Sequence, residues 1–277
     1  MSLMKTLSEQ KYPVRFLLSR ILMRTGLCKL FTVQRNGYKI RFNPSGISAQ
    51  LWVDPARMRW EERFLEDYLK LGDRIIDVGA NIGTLSLRAS TLVGAEGEVF
   101  SFEANPTLCE FIKDNQTLNQ FTNIKVYNLA VADSSGTIYF ALNKSDDRSR
   151  VHLSDQGIAV EKQPLDRVIP DVPIDLLKID VEGYEKWVFQ GAEKTIQNSQ
   201  VVMFESIPAN TEHYQYSVRE NFQFLLDRGF QIFKLGANKT MYSVDIDQVS
   251  QYNGDLFALR NVESFIARTG YRFPNAL

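Results

Sequence analysis

Residues 75–83 read IIDVGANIG, from Ile75 to Gly83. Branched apolar side chains on either side of a single acid suit a strand covered on both faces. Gly79 and Gly83 bracket Asn81 where the chain turns into a helix beginning near Ile82. Working outward, further apolar runs follow: EVFSFEA (98–104), IKVYNLAV (124–131), IDLLKIDV (174–181), VVMFESIP (201–208), FQIFKLG (230–236) and DLFALR (255–260). Helical patterns separate most of them, starting near Pro106, running from about Tyr184 to Asn198, and from about Val218 to Asp227 before Gly229. Asn105 is a capping residue and Pro106 suits the first helical position. The alternation predicts an α/β protein with a doubly wound, seven-stranded sheet, its last two runs pairing antiparallel at one edge. TIYFALNK (137–144), the charged stretch Ser145–Arg150 and IAVEKQ (158–163) form a hairpin-bearing insert outside that repeat.

The repeat occupies residues 71–277, and residues 1–70 read as an extension of helical and hairpin character. In it, Lys5, Lys11, Arg15, Arg20, Arg24 and Lys29 interleave with Phe16, Leu17, Leu18, Ile21, Leu22 and Leu27 in a helical rhythm. The favoured reading is a docking helix whose apolar face covers the main domain and whose basic face is solvated; the alternative is peripheral contact with an anionic membrane. TVQRNGYKIRF (32–42) then carries a hairpin signal in Asn36-Gly37. A net charge of -1 argues against a nucleic-acid partner held by a general field. No apolar stretch is long enough to span a bilayer. Cys28 and Cys109 are the only cysteines, too few for a disulfide framework. A cytoplasmic protein, peripheral to a membrane if the basic helix lies on one, is expected.

Glycines after a strand let the backbone approach a ligand, and Asp77 with the N–H groups of the turn offers sites for opposite charges. S-adenosylmethionine has an ammonium, a carboxylate and a sulfonium, and fits such a turn. A plain tight turn is the bland alternative. Glu103 closes the second strand about 20 residues on, where an acid accepts both ribose hydroxyls of an adenosine. Asp180 and Glu182 end the fourth strand before Gly183. On an extended strand they share a side, and two close carboxylates push one pKa up, as a base for a hydroxyl requires. The competing reading is helix capping or an ion pair with Lys178 or Lys186. His213 is a further candidate base, more simply read as a solvated loop histidine. Asp180, Glu182 and Glu205 are hard-oxygen donors, but no spacing signature calls for a metal.

In their order and spacing, IIDVGANIGTLSL, VFSFEANP, NLAVADSSG, PLDRVI and LLKIDVEGYEKWVFQGAEKTI resemble the FkbM family of S-adenosylmethionine-dependent methyltransferases, across roughly Trp60 to Pro208. The resemblance implies a class I, Rossmann-like methyltransferase sheet of order 3-2-1-4-5-7-6, with its C-terminal edge strand antiparallel. It also implies that Asp77, Gly79, Ala80, Asn81 and Gly83 hold the methionine part of the cofactor and that Glu103, with Ala104, holds the ribose. Asn128 to Ala130 would border the adenine, and Asp180 would face the reaction centre. The implied activity is O-methylation of a hydroxyl on a sugar, a polysaccharide or a polyketide-type natural product, so the expected partner is a small-molecule or glycan acceptor. SDDRSRVHL (145–153) departs from the family's small-residue pattern, which places acceptor choice in variable segments.

Two rivals remain open on sequence grounds. A nicotinamide-dependent oxidoreductase also needs a strand, a glycine turn and a distal acid. However, Gly79-Ala80-Asn81-Ile82-Gly83 lacks the Gly-x-Gly-x-x-Gly spacing, and no Tyr-x-x-x-Lys pair occurs. A non-catalytic glycan- or membrane-binding module could keep the same fold.

Overall fold

The near-continuous apolar runs assemble into one sheet with helices on both faces. The computed structural model describes residues 10–57, 59–141, 150–152 and 157–274. The expectations for Lys5, for Leu142–Ser149, including the end of TIYFALNK, and for Leu153 lie outside those residues.

Helix α1 (Pro13–Thr25) leads into a hairpin of β1 (Thr32–Gln34) and β2 (Lys39–Arg41), which pair antiparallel around Asn36-Gly37. Helices α2 (Gly46–Val53) and α3 (Arg59–Tyr68) follow. The alternating body then runs β3 (Arg74–Val78), α4 (Thr84–Val93), β4 (Glu98–Glu103), α5 (Pro106–Asn119) and β5 (Ile124–Asn128). Asn105 caps α5 by accepting the Thr107 N–H at 2.9 Å, with Pro106 in the first turn. The insert forms its own sheet from β6 (Ala130–Val131), β7 (Gly136–Ala141), β8 (Arg150–His152) and β9 (Ile158–Gln163), in the order β6-β9-β7-β8.

After the short α6 (Leu165–Val168) come β10 (Ile174–Ile179), α7 (Glu185–Gly191), α8 (Glu193–Gln197), β11 (Ser199–Ser206), α9 (Pro208–His213) and α10 (Val218–Leu226). The single helix expected over 184–198 is therefore two. Asp166 of α6 accepts the N–H groups of Lys194 and Thr195 at 2.8 and 2.9 Å, so a new helix start is capped there. The chain closes with β12 (Gln231–Gly236), β13 (Thr240–Ser243), β14 (Gly254–Leu259) and α11 (Val262–Thr269).

The main sheet runs β5-β4-β3-β10-β11-β14-β12-β13. Five strands from β5 to β11 are parallel, and β14 lies antiparallel to both of its neighbours. The seven expected strands are joined by an eighth, β13, which pairs antiparallel with β12. The antiparallel strand is thus interior, at β14, and β13 is the edge. Residues alternate between two cores: Ile76, Val78, Phe102, Leu177 and Phe204 on one face, Ile75, Leu176, Met203 and Phe257 on the other. Ser101, Asp77, Lys178, Met203 and Phe257 are register partners on neighbouring strands, so Glu103, Asp180, Glu205 and Asp255, each two residues from its own member of that row toward the same sheet edge, follow on that second face. Helix α3 contributes Phe64, Leu65 and Tyr68 to that face's core. A buried ion pair between Arg35 and Glu62, at 2.6 Å, ties α3 to the hairpin.

Helix α1 docks through one apolar stripe, as expected, with Leu22 and Met23 against Cys28, Phe42 and Ala49, but it carries a second stripe that was not expected to be exposed. Phe16, Ser19, Leu22 and Met23 turn inward, whereas Val14, Leu17, Leu18 and Ile21 are exposed. The sequence offers two apolar stripes, and among the described residues the body of the protein covers only one.

Candidate active site

At the end of β3 the N–H groups of Gly79 and Ala80 both donate to the Phe102 carbonyl, at 2.9 and 3.0 Å. Gly79 has φ +81°, and a Cβ there would stand 1.8 Å from the Asp180 carbonyl oxygen, so no other residue fits between these strands. The turn opens on a cavity of about 200 Å³. Its wall includes Gly79, Ala80, Asn81, Glu103 and Ala104, with an apolar slot of Phe102, Leu108, Leu129, Ala130 and Val131. Glu103 is buried. One of its oxygens accepts the Asn81 N–H and the other the Asn105 N–H, both at 2.8 Å. Burial pushes its carboxyl up to about 7, against the downward pull of those two N–H groups. The Asn81 Oδ1 is buried with no hydrogen-bond partner, an orphan acceptor in the cavity wall.

Across the cavity lies Lys178. Its Nζ donates to the Gly79 carbonyl at 3.2 Å and stands 3.3 Å from Asp77 and 3.5 Å from Asp180. Burial disfavours the ammonium, but Asp77, Asp180 and Asp255 together hold its pKa above the usual lysine range. Around it stand Glu61, from the first turn of α3, Asp180, Glu182 and Asp255, all in the wall. Burial, reinforced by Asp255, raises Glu61 to about 8; burial and Asp180 raise Asp255 to about 6. Glu205 sits opposite Asp255 in the β11–β14 register, and burial with neighbouring carboxylates lifts it to about 9. One oxygen or more from each of Asp180, Glu182 and Glu205 comes within 4.8 Å of the others, and the Asn210 amide donates to Glu182 and Glu205 at 3.2 and 3.3 Å.

The loop carrying Asp180 is fixed from below. The Glu185 carboxylate accepts the N–H groups of Val181 and Gly183 at 3.2 and 3.1 Å, and the Tyr216 hydroxyl. Strand β10 ends at Ile179 and Glu182 adopts φ +55°. The two carboxylates are thus brought together by a turn, correcting the expectation that an extended strand aligns them.

Of the residues singled out from the sequence, Gly79, Ala80, Asn81, Glu103, Ala104, Ala130, Asp180 and Glu182 line the cavity. Four do not. Asp77 is wholly buried behind the wall, where it accepts from Ser86 Oγ at 2.6 Å and pairs with Lys178. Gly83 starts α4 in a left-handed conformation against Ile112. The Asn128 amide donates to the Glu103 and Ala104 carbonyls, buttressing the Glu103 turn. His213 is exposed at the end of α9, a short helix where a loop was expected, with its ring edge-on to Tyr214. Glu61 and Asp255 went unrecognised: one reads as a surface acid in a charged helix, and the other is placed by strand pairing.

A mainly parallel sheet with the reversed strand β14 set between β11 and β12, a glycine turn after its first core strand and an acid after its second define a class I methyltransferase. The chain matches the Methyltransferase FkbM domain family over residues 77–232, more than half its length, and belongs to that family. It is 28% identical over 175 residues to the hexuronic acid methyltransferase AglP of Haloferax volcanii, covering 58% of this chain and 71% of that one. Among solved structures it resembles the FkbM methyltransferase of Methylobacillus flagellatus (13% identity, TM-score 0.46), matching over 88% of this chain and 60% of that one. It also resembles a SAM-dependent methyltransferase of Aquifex aeolicus (17% identity, TM-score 0.44), over 75% and 94% of the two chains. S-adenosylmethionine is accordingly its cofactor. The cavity fits it: Glu103 offers a carboxylate for a diol, the orphan Asn81 Oδ1 offers an acceptor, and the excess of acids over Lys178 suits a cation.

Proposed function

We propose that the chain transfers the methyl group of S-adenosylmethionine to a hydroxyl of a sugar or polysaccharide. The observation that carries this reading is the group of acids in the cavity wall, Glu61, Asp180, Glu182 and Asp255, with Lys178 the one cation among the described residues of that wall. A hydroxyl must lose its proton as it attacks, and acids beside it supply acceptors. A carboxylate acceptor needs no base, and a wall this rich in acids disfavours a further anion. The relationship to a hexuronic acid methyltransferase supports a sugar acceptor.

The bound cofactor supplies an electrophilic methyl group on a cationic sulfur. In this assignment the turn from Gly79 to Asn81 and the Glu103 carboxylate hold the methionine and ribose ends. The apolar slot from Phe102 to Val131 takes the adenine. Asp180, partly exposed at the cavity wall, accepts the proton of the acceptor hydroxyl as the new C–O bond forms and the C–S bond breaks. Glu61 and Asp255, raised by burial, orient the acceptor in hydrogen bonds and stay largely outside the proton step. Lys178 and Glu185 are positioning residues: one fixes the Asp180 carboxylate, the other its loop.

Asp180→Asn tests the assignment, because it keeps shape and removes the base. A positioned base contributes roughly 10²–10⁴-fold. We expect kcat to fall by that order while affinity for S-adenosylmethionine stays within a few-fold. Full kcat in the variant would remove Asp180 from the chemistry.

A further inference from the structure

The surface of α1 is not accounted for by the methyl-transfer site. Among the described residues, eleven large apolar side chains are exposed; three, Trp60, Leu71 and Tyr242, are scattered, and the other eight fall between Tyr12 and Phe31. Val14, Leu17, Leu18 and Ile21 repeat at the helical spacing of three and four, and Val14 and Ile21 are 68% and 57% exposed. At about 100° per residue, this ridge points some 160° away from the inward stripe of Phe16, Ser19, Leu22 and Met23. Leu27, Leu30 and Phe31 continue the exposed apolar surface beyond the helix.

The charges around the ridge are one-sided. Between Gln10 and Phe31 the chain carries Lys11, Arg15, Arg20, Arg24 and Lys29 and no Asp or Glu, while the whole protein has a net charge of -1. By the same helical arithmetic, Lys11 and Arg15 flank one side of the ridge and Arg20 and Arg24 the other. All four are exposed. An apolar ridge between two rows of cations on flexible stems matches the boundary between acyl chains and anionic headgroups. A solvated basic face would not need eight exposed apolar side chains, and burial against the protein's own body is already provided by the opposite stripe.

We infer that α1 docks the protein on an anionic phospholipid surface, with Val14, Leu17, Leu18 and Ile21 inserted and Arg20 and Arg24 at the headgroups, while Lys11 is held by Asp54 at 3.3 Å. The docking element joins the methyl-transfer site through α2. Arg15 stacks over Trp52 of α2 at 5.1 Å, and Ile47 of the same helix lines the cavity. The inference does not depend on which acceptor the site uses.

The test is co-sedimentation of the full chain with vesicles of phosphatidylcholine alone and of phosphatidylcholine and phosphatidylglycerol in equal parts. The expected result is binding to the anionic vesicles only, weakened by added salt. The double substitution Arg20→Gln/Arg24→Gln should weaken it about 25-fold, about fivefold per cation. The triple substitution Leu17→Ser/Leu18→Ser/Ile21→Ser should weaken it more than about 100-fold. These side chains are exposed, and S-adenosylmethionine affinity reports that each variant is folded. Absence of binding, or equal binding to both vesicle types, overturns the inference. So does a concentration-dependent dimer without vesicle binding that the triple substitution dissolves, since the ridge would then cover a second copy. Binding that appears only after residues 1–9 are removed would mean that segment covers the ridge, and also overturns it.

Discussion

Replacing Glu103 with alanine should separate cofactor binding from folding. Each oxygen of the carboxylate accepts one backbone N–H, from Asn81 or Asn105, at 2.8 Å. Each keeps a lone pair for a ribose hydroxyl in the proposed complex. Charge-assisted hydrogen bonds of this kind contribute about 1.5–3 kcal/mol each. Losing two weakens the dissociation constant roughly 10²–10⁴-fold. The substitution also leaves the Asn81 and Asn105 N–H groups without an acceptor, so the fold should lose about 1–3 kcal/mol per group unless water replaces it. Calorimetric titration with S-adenosylmethionine, beside a urea melt, reads the two effects apart. Because burial raises Glu103 to about 7, affinity of the unaltered protein should fall as pH drops below about 7, where the carboxyl gains a proton. In Glu103→Gln, which cannot ionise, that pH dependence should be flat and the affinity intermediate. A folded Glu103→Ala protein that binds within about threefold of the parent would refute the ribose assignment, since no loss of two such bonds is that small.

Glu61→Gln should change how stability depends on pH. The Glu61 carboxyl is raised from 4.5 to about 8, first by burial and then by Asp255. Its protonated form therefore stabilises the fold fully below pH about 4.5, and that contribution is lost as pH rises through about 8. The variant keeps a neutral group throughout, so its advantage should grow by about 1–3 kcal/mol between pH 5 and pH 9, read by urea melts; parallel curves would contradict the placement of Glu61. Gly79→Ala should unfold or severely destabilise the protein, by roughly 3 kcal/mol or more, because the added Cβ meets the Asp180 carbonyl at 1.8 Å and the φ is +81°. A variant with unchanged melting and cofactor affinity would mean the two strands part more easily than their packing indicates.

The sheet was readable because doubly covered strands leave an unambiguous trace. Ile75, Ile76 and Val78, or Leu176, Leu177 and Ile179, are apolar toward both cores and cannot be mistaken for amphipathic elements. The glycine-turn side of the cavity was legible for a related reason: Gly79, Asn81 and Glu103, which line it, sit at strand ends, where position in the repeat fixes position in space. Asp77 misled because an acid at such an end looks available, whereas here Lys178 and Ser86 consume it. The acceptor side was less legible. Asp255 reaches the site through the antiparallel β11–β14 register, and Glu61 through the docking of α3, a helix outside the alternating repeat. Neither pairing leaves a local pattern. The eighth strand, β13, was hidden for the same reason, since TMYS (240–243) is only four residues long.

Methyl-labelled S-adenosylmethionine, incubated with the protein and separately with neutral and uronic-acid oligosaccharides, tests the central proposal most directly when the product is then treated with alkali. Methyl ethers survive that treatment and methyl esters are hydrolysed. Transfer of label to an oligosaccharide in alkali-stable form, abolished in Asp180→Asn, is the predicted result. Label found only on uronic acids and released by alkali would show that a carboxylate, not a hydroxyl, is the acceptor, and would contradict the role given to the acids around Lys178.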